Sequence, residues 1–170
     1  MRKRTTHSER GPTTARSRLY HRERAQALIE FVLIAPIIFV FLFSIVDFGI
    51  AVDRRLVLQY AVGEGARFAA VHTTGSTIVG DIKQRTADEA QDVIRPSDVS
   101  VCYIDENGNN SPGDKGDAAK VSARYTWNFP ILSELARSFG LGPLAIDISP
   151  SATSRLEQGV SGTTPTRCVS

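Results

Sequence analysis

Leu28-Ile-Glu-Phe-Val-Leu-Ile-Ala-Pro-Ile-Ile-Phe-Val-Phe-Leu-Phe-Ser-Ile-Val46 is a run of 19 residues with one charge, Glu30, and neither helical nor strand periodicity. As a helix rising about 1.5 Å per residue it covers roughly 28 Å, close to the ~30 Å hydrocarbon core of a bilayer. A helix that is apolar all round lies either inside a large protein or in lipid. The rest of this chain of 170 residues is too small and too polar to wrap it. The run therefore reads as a membrane span. Pro36 removes one backbone donor and predicts a mild kink, which membrane helices tolerate. The competing reading is a cleavable secretory signal, with Gly49-Ile50-Ala51 as a small-x-small site. Such signals have shorter apolar regions, about 7–15 residues, and the length of the run, Pro36 and Glu30 all weigh against one here.

Charge sets the direction. Residues 1–24 hold eight basic side chains against Glu9 and Glu23, a net +6, which leaves a net −4 for residues 25–170 out of the overall +2. Basic flanks stay in the cytoplasm, so the arm is expected there and everything beyond about residue 53 on the other side. The arm is rich in Thr, Ser, Arg, Gly and Pro and has no core, so disorder is expected. The acidic remainder is repelled by phosphate and excludes a nucleic-acid-coating surface. The two cysteines exclude a disulfide-dense mini-protein and a four-thiolate zinc site, and the three histidines leave little for a metal centre. Neither a metal nor a cofactor is expected.

Glu30 is costly in an apolar helix, by about 2–3 kcal/mol at mid-membrane and less near an interface. Either the side chain reaches back to water or to Arg24, or a positive group from another chain or a new N-terminus meets it. The surrounding residues, Arg24-Ala25-Gln26-Ala27-Leu28-Ile29-Glu30-Phe31 followed by the apolar run, resemble the type IV prepilin-like start of TadE-like pilus-assembly proteins. The resemblance continues through Asp47-Phe48-Gly49. It extends to Gly63-Glu64-Gly65-Ala66-Arg67-Phe68, which resembles the family's helical continuation, and it covers residues 24–71. It implies that Ala25, where the family most often has Gly, precedes a scissile bond. Gln26 is then the mature N-terminus and Glu30 the fifth mature residue. A prepilin peptidase, pseudopilin-like subunits, the pilus secretion machinery and the bilayer are the partners it implies. Its location is the bacterial plasma membrane, in a single pass. An amine at Gln26 and a carboxylate from a neighbouring subunit attract strongly at low dielectric, which gives Glu30 a reason to stay in lipid.

Beyond the span the helix is expected to continue to about Val71. Leu56, Tyr60, Gly63 and Arg67 form one row at three- or four-residue spacing, and Val57, Ala61, Glu64 and Phe68 another. Gly63 and Gly65 each cost such a helix about 1 kcal/mol relative to Ala, and close packing against a neighbour accounts for them. Ile78, Ile82, Ala90, Val93 and Ile94 mark a second helix, with Pro96 as its stop. Strands are expected at Val99–Ile104, Ala119–Trp127 and Leu144–Arg155, with a hairpin connection at 105–117 and a short helix around Ile131–Phe139.

The expected fold is α+β: a long N-terminal transmembrane helix running into a small extracytoplasmic domain with a second helix and a three-stranded antiparallel sheet. Its divisions are a basic arm (1–25), the membrane helix (26–52), the outer domain (53–157) and a flexible tail (158–170). Cys102 and Cys168 fall on the same, oxidising side, so they pair with each other, remain free, or bridge to another chain. Asp47-Phe48-Gly49 spells a kinase tripeptide, but no catalytic loop or phosphate-binding lysine accompanies it. The loop from Asp105 lacks the sixth-position Gly and twelfth-position Glu of a calcium loop. No nucleophile pattern surrounds His72, so no enzyme activity is expected. The expected role is a pseudopilin-like subunit or assembly factor of a tight-adherence pilus or secretion apparatus. The alternative is a membrane-anchored or signal-secreted binding module.

Overall fold

A computed structural model of the chain describes residues 15–168, with side chains from Gln26 onward. The elements, in order, are α1 (Ala15–Val71), α2 (Ile78–Glu89), a 3-10 turn (Pro96–Asp98), β1 (Val99–Ile104), β2 (Ala118–Ala123), β3 (Tyr125–Asn128), α3 (Pro130–Ser138), β4 (Ala145–Ile148) and β5 (Ser151–Arg155). An α+β arrangement with a long apolar first helix, a second helix and a three-stranded antiparallel sheet is what the sequence led us to expect. The chain divides into two units, one up to Phe43 and one from Ser44.

In the first unit, the expectation of a disordered arm over 1–25 falls in part outside the described residues. From Ala15 the backbone is already helical, ahead of the expected start at Gln26. Ala, Arg, Leu, Glu and Gln, all good helix formers, carry α1 through this stretch. The apolar residues from Leu28 to Phe43 are exposed almost throughout, and the helix runs on through Pro36.

In the second unit, α1 turns amphipathic. Asp47, Ala51, Leu58, Ala61, Val62, Ala66 and Ala69 are buried at three- and four-residue intervals, one stripe along the helix. Leu58, Ala61, Val62, Ala66 and Ala69 join Ile78 and Ile82 of α2 and the inward face of the sheet in one core. That face is set by register. Val99 opposes Ala123, Val101 opposes Val121, and Tyr103 opposes Ala119, so at both ends of this face a larger side chain meets an alanine across the ladder.

The sheet differs from the expectation of three uninterrupted strands. The stretches 119–127 and 144–155 do pair, yet each is broken, into β2 and β3 and into β4 and β5. The three-stranded sheet has the order β1-β2-β5, and β3-β4 form a separate two-stranded sheet. Ala118 pairs with Arg155, and further along the same hairpin Tyr125 pairs with Ile148. The register therefore holds across the break. At the break Pro150 has no N–H to give, its carbonyl accepts from the Ala123 N–H, and the Arg124 N–H turns away to the carbonyl of Asp98.

Pro96 does not end α2. The helix stops at Glu89, and Gln91 and Asp92 follow with φ of 52° and 63°. This left-handed pair turns the chain, after which Ile94 is again buried. Pro96 instead opens the 3-10 turn, where the Asp98 carboxylate accepts from the Arg95 N–H at 3.0 Å.

The loop 105–117 is ordered by Asp117, which is fully buried. Its carboxylate accepts from the backbone N–H groups of Glu106, Gly113 and Asp114 and from the Asn107 amide. Residues 158–168, expected to be flexible, are tied down along their length. Val160 donates to Gly113 and Ser161 to Thr73, while Tyr103 donates to Thr166 and Cys168 donates back to Tyr103. Cys102 and Cys168 are joined in a disulfide within the chain.

Candidate functional site

The sequence points to α1 as the working element, and its exposed side chains are the ones that the chain itself leaves uncovered. In the unit up to Phe43, Glu30 accepts from the Gln26 side-chain amide at 3.3 Å, one helical turn earlier. Phe31 beside it is exposed. The side chain of Ala25 lies outside the described residues. The structure thus brings Gln26 and Glu30 together on one face of the helix.

From Ser44 onward α1 has two faces of different character. The buried stripe faces the core. Phe48, Val52, Leu56 and Tyr60, spaced by four, remain exposed, although these are side chains that bury readily. Between this helix and the β4–β5 turn lies an open groove of about 460 Å³, walled by Phe48, Ala51, Val52 and Arg55 on one side and Ile146 and Ile148 on the other.

The signature 63–68 resolves into separate jobs. A Cβ on Gly65 would meet Thr86 Oγ1 at 2.0 Å, so only glycine lets α1 approach α2 this closely. Gly63 has open space instead, with nothing of the chain within 4 Å of the same position. Ala66 is buried in the core. Glu64 and Arg67 form an ion pair at 3.8 Å, with the Arg67 side chain 77% exposed. Solvent screening limits such a pair to a few tenths of a kcal/mol. Phe68 stacks on His72 with ring centroids 4.0 Å apart.

Asp47 is the residue that sequence reasoning missed. It is wholly buried, and its Oδ2 accepts from the N–H of Ile131 at 3.1 Å and of Leu132 at 2.8 Å. These are the second and third residues of α3, whose cap position is Phe129 and offers no side-chain bond. Pro130 has no N–H to satisfy. A carboxylate from α1 therefore caps α3 and meets the positive end of its dipole. Next to it, Phe48 packs on Phe129 at 5.2 Å. The signal available in the sequence was negative: a helix announced by Phe129-Pro130 with no capping side chain of its own.

The disulfide ties β1 to the C-terminal tail. Tyr103, next to Cys102, is buried, and burial pushes its phenol pKa above the ordinary value of 10.0. Arg167, next to Cys168, donates to Asn110 Oδ1 at 2.7 Å and pairs with Asp105 at 3.5 Å, closing the tail over the hairpin loop.

Neither the curated proteins nor the solved structures include a match to this chain. Among protein-family models, the one described as TadE-like protein matches residues 25–67, the stretch that carries Glu30, Asp47 and the start of the glycine signature. Over that helical stretch, the chain is similar to the TadE-like family.

Proposed function

We propose that the protein is a single-pass membrane subunit or assembly factor of a Tad/Flp-type pilus or secretion apparatus. It works through helix packing and protein–protein contacts. The TadE-like family belongs to such systems and is structural rather than enzymatic in character. The supporting observation is the unshielded state of α1. Its apolar run is exposed from Leu28 to Phe43, and further along α1 Val52, Leu56 and Tyr60 stay exposed while another stripe is buried. A helix kept apolar on the face its own domain does not use is suited to a neighbouring helix. Gly63, open on its outer side, allows close approach there. The basic arm is cytoplasmic in this reading and the unit from Ser44 is extracytoplasmic.

Glu30 sets the register in this reading. Cleavage between Ala25 and Gln26 by a prepilin peptidase frees an amine one turn from the carboxylate. In an assembled array, the amine of one subunit neutralises the carboxylate of the next. Intact-mass measurement of the membrane-extracted protein, together with co-purification of Glu30→Ala, tests this. A chain starting at Gln26 that stays in the membrane supports it. So does a Glu30→Ala variant that inserts normally but loses at least tenfold of its pilin-like partners. A soluble chain starting near Val52 overturns it. Full retention of partners by Glu30→Ala overturns the role given to the carboxylate.

A further inference from the structure

The segment Ser138-Phe-Gly-Leu-Gly-Pro-Leu-Ala-Ile146 carries no charge. Its side chains Phe139, Leu141, Leu144 and Ile146 are all exposed, Phe139 at 75% and Leu141 at 64%. A turn facing only water does not gather four large apolar side chains without a polar one between them. Nothing within the chain covers them among the described residues.

Their position follows from the bonds at the base of the segment. Val46 ends the apolar run, and Asp47, the next residue, holds the first N–H groups of α3. Phe48 packs on Phe129, and the Phe129 N–H donates to the carbonyl of Leu144. The Ser133 hydroxyl also donates to that carbonyl, and its oxygen accepts from the Leu144 N–H at 3.0 Å. The segment therefore returns, at Leu144, beside the start of α3 that Asp47 of α1 holds. β4 agrees. Ile148 sits in the core that α1 enters at Leu58, and Ile146 lines a groove with Phe48, Ala51 and Val52. Going from Ile148 back to Ala145 thus leads along α1 toward Asp47. Gly140, at φ 75°, takes the left-handed conformation that glycine adopts readily just after α3 ends.

We infer that residues 138–146 form a second membrane contact: Phe139, Leu141, Leu144 and Ile146 enter the leaflet at the Val46 end of the span. The occupant is the acyl–headgroup boundary of the lipid, and Arg137 stays at the polar level just outside it. This fixes the outer domain to the bilayer at two points and limits its rotation about α1. The inference rests on reading residues 28–46 as the membrane span.

The test uses the full chain in phospholipid vesicles with and without brominated acyl chains, in a Trp127→Phe background. Single tryptophans replace Leu141, Phe39 in the span, or Glu106 in the hairpin loop. Phe139→Trp, which keeps an aromatic ring at an exposed site, repeats the measurement in case Leu141→Trp misfolds. The expected result is bromolipid quenching at 141 and 139 of at least half that at 39, with 106 quenched only by aqueous acrylamide. Acrylamide access at 141 and 139 equal to that at 106 overturns the inference. Shielding from both quenchers that grows with protein density assigns the patch to a second copy and overturns it equally. Absence of quenching at 39 overturns the span reading itself.

Discussion

The carboxylate of Asp47 lies 2.8 Å from the backbone nitrogen of Leu132, across 85 positions of sequence. One residue past the apolar run, the helix that carries this run also caps the positive end of α3. Replacing Asp47 by Ala leaves two amides of α3 without their acceptor. The expected loss is about 1–3 kcal/mol, between an ordinary cap and a buried charged acceptor. Asp47→Asn keeps one acceptor oxygen and is expected to lose less. Thermal unfolding in detergent, with proteolysis of the turn 139–144 as a local readout, checks the order wild type, Asn, Ala.

Gly65 and Gly63 give opposite expectations although they are two residues apart. Gly65→Ala drives a methyl into Thr86 Oγ1 and is expected to cost about 1–3 kcal/mol. Thr86→Ala added to it removes the obstructing atoms and restores part of that loss. Gly63→Ala has open space and is expected to stabilise the isolated chain by up to about 1 kcal/mol through helix propensity. If the same variant weakens association with partner subunits, the open side of Gly63 is a packing surface. Chemical unfolding of the three variants and the wild type beside co-purification separates the two effects.

Reduction of the Cys102–Cys168 bond releases a loop with a sequence separation of 66. The expected loss is about 2–5 kcal/mol. Amide exchange should rise first at Tyr103 and Cys168, whose N–H groups tie the tail to β1. Residues of α1 facing the core are expected to keep their protection. A mobility shift on non-reducing gels and exchange mass spectrometry provide the readouts.

Tyr103 predicts an alkaline limit. Burial raises its pKa in the folded state, so above the ordinary value the folded chain holds a proton that the unfolded chain has lost. Its contribution is fully present below about pH 10 and declines as the pH rises through the folded value. Unfolding midpoints measured from pH 8 to 11 should fall at the alkaline end. Tyr103→Phe should flatten that fall.

Much of this fold can be read from hydrophobic patterning alone. The run 28–46, the helix ending at Val71 and the strand at Val99–Ile104 follow from local composition and periodicity, and the structure places them there. What escaped the reading depends on distant partners. The pairing of 119–127 with 144–155 keeps one register, yet nothing in the alternation of 119–127 announces that Pro150, across the ladder, breaks it. The end of α2 at Glu89 rests on two non-glycine residues in the left-handed region, where Pro96 offered the stronger local signal. The Asp47 cap is less visible still, because donor and acceptor are on elements far apart in the chain. On the candidate site, composition singles out Glu30, whereas the division of labour between Gly63 and Gly65 needs the position of Thr86.

The covalent link at Cys102 has a mechanical consequence. Every strand after β1, together with α3, lies between the two bonded cysteines. Tension applied between α1 and Cys168 passes through the sulfur bridge into β1 and reaches α1 by way of α2. The hairpin, the bend at Pro150 and the loop 138–146 carry none of it. Pulled between these two points, the chain can therefore keep most of its residues after β1 unloaded.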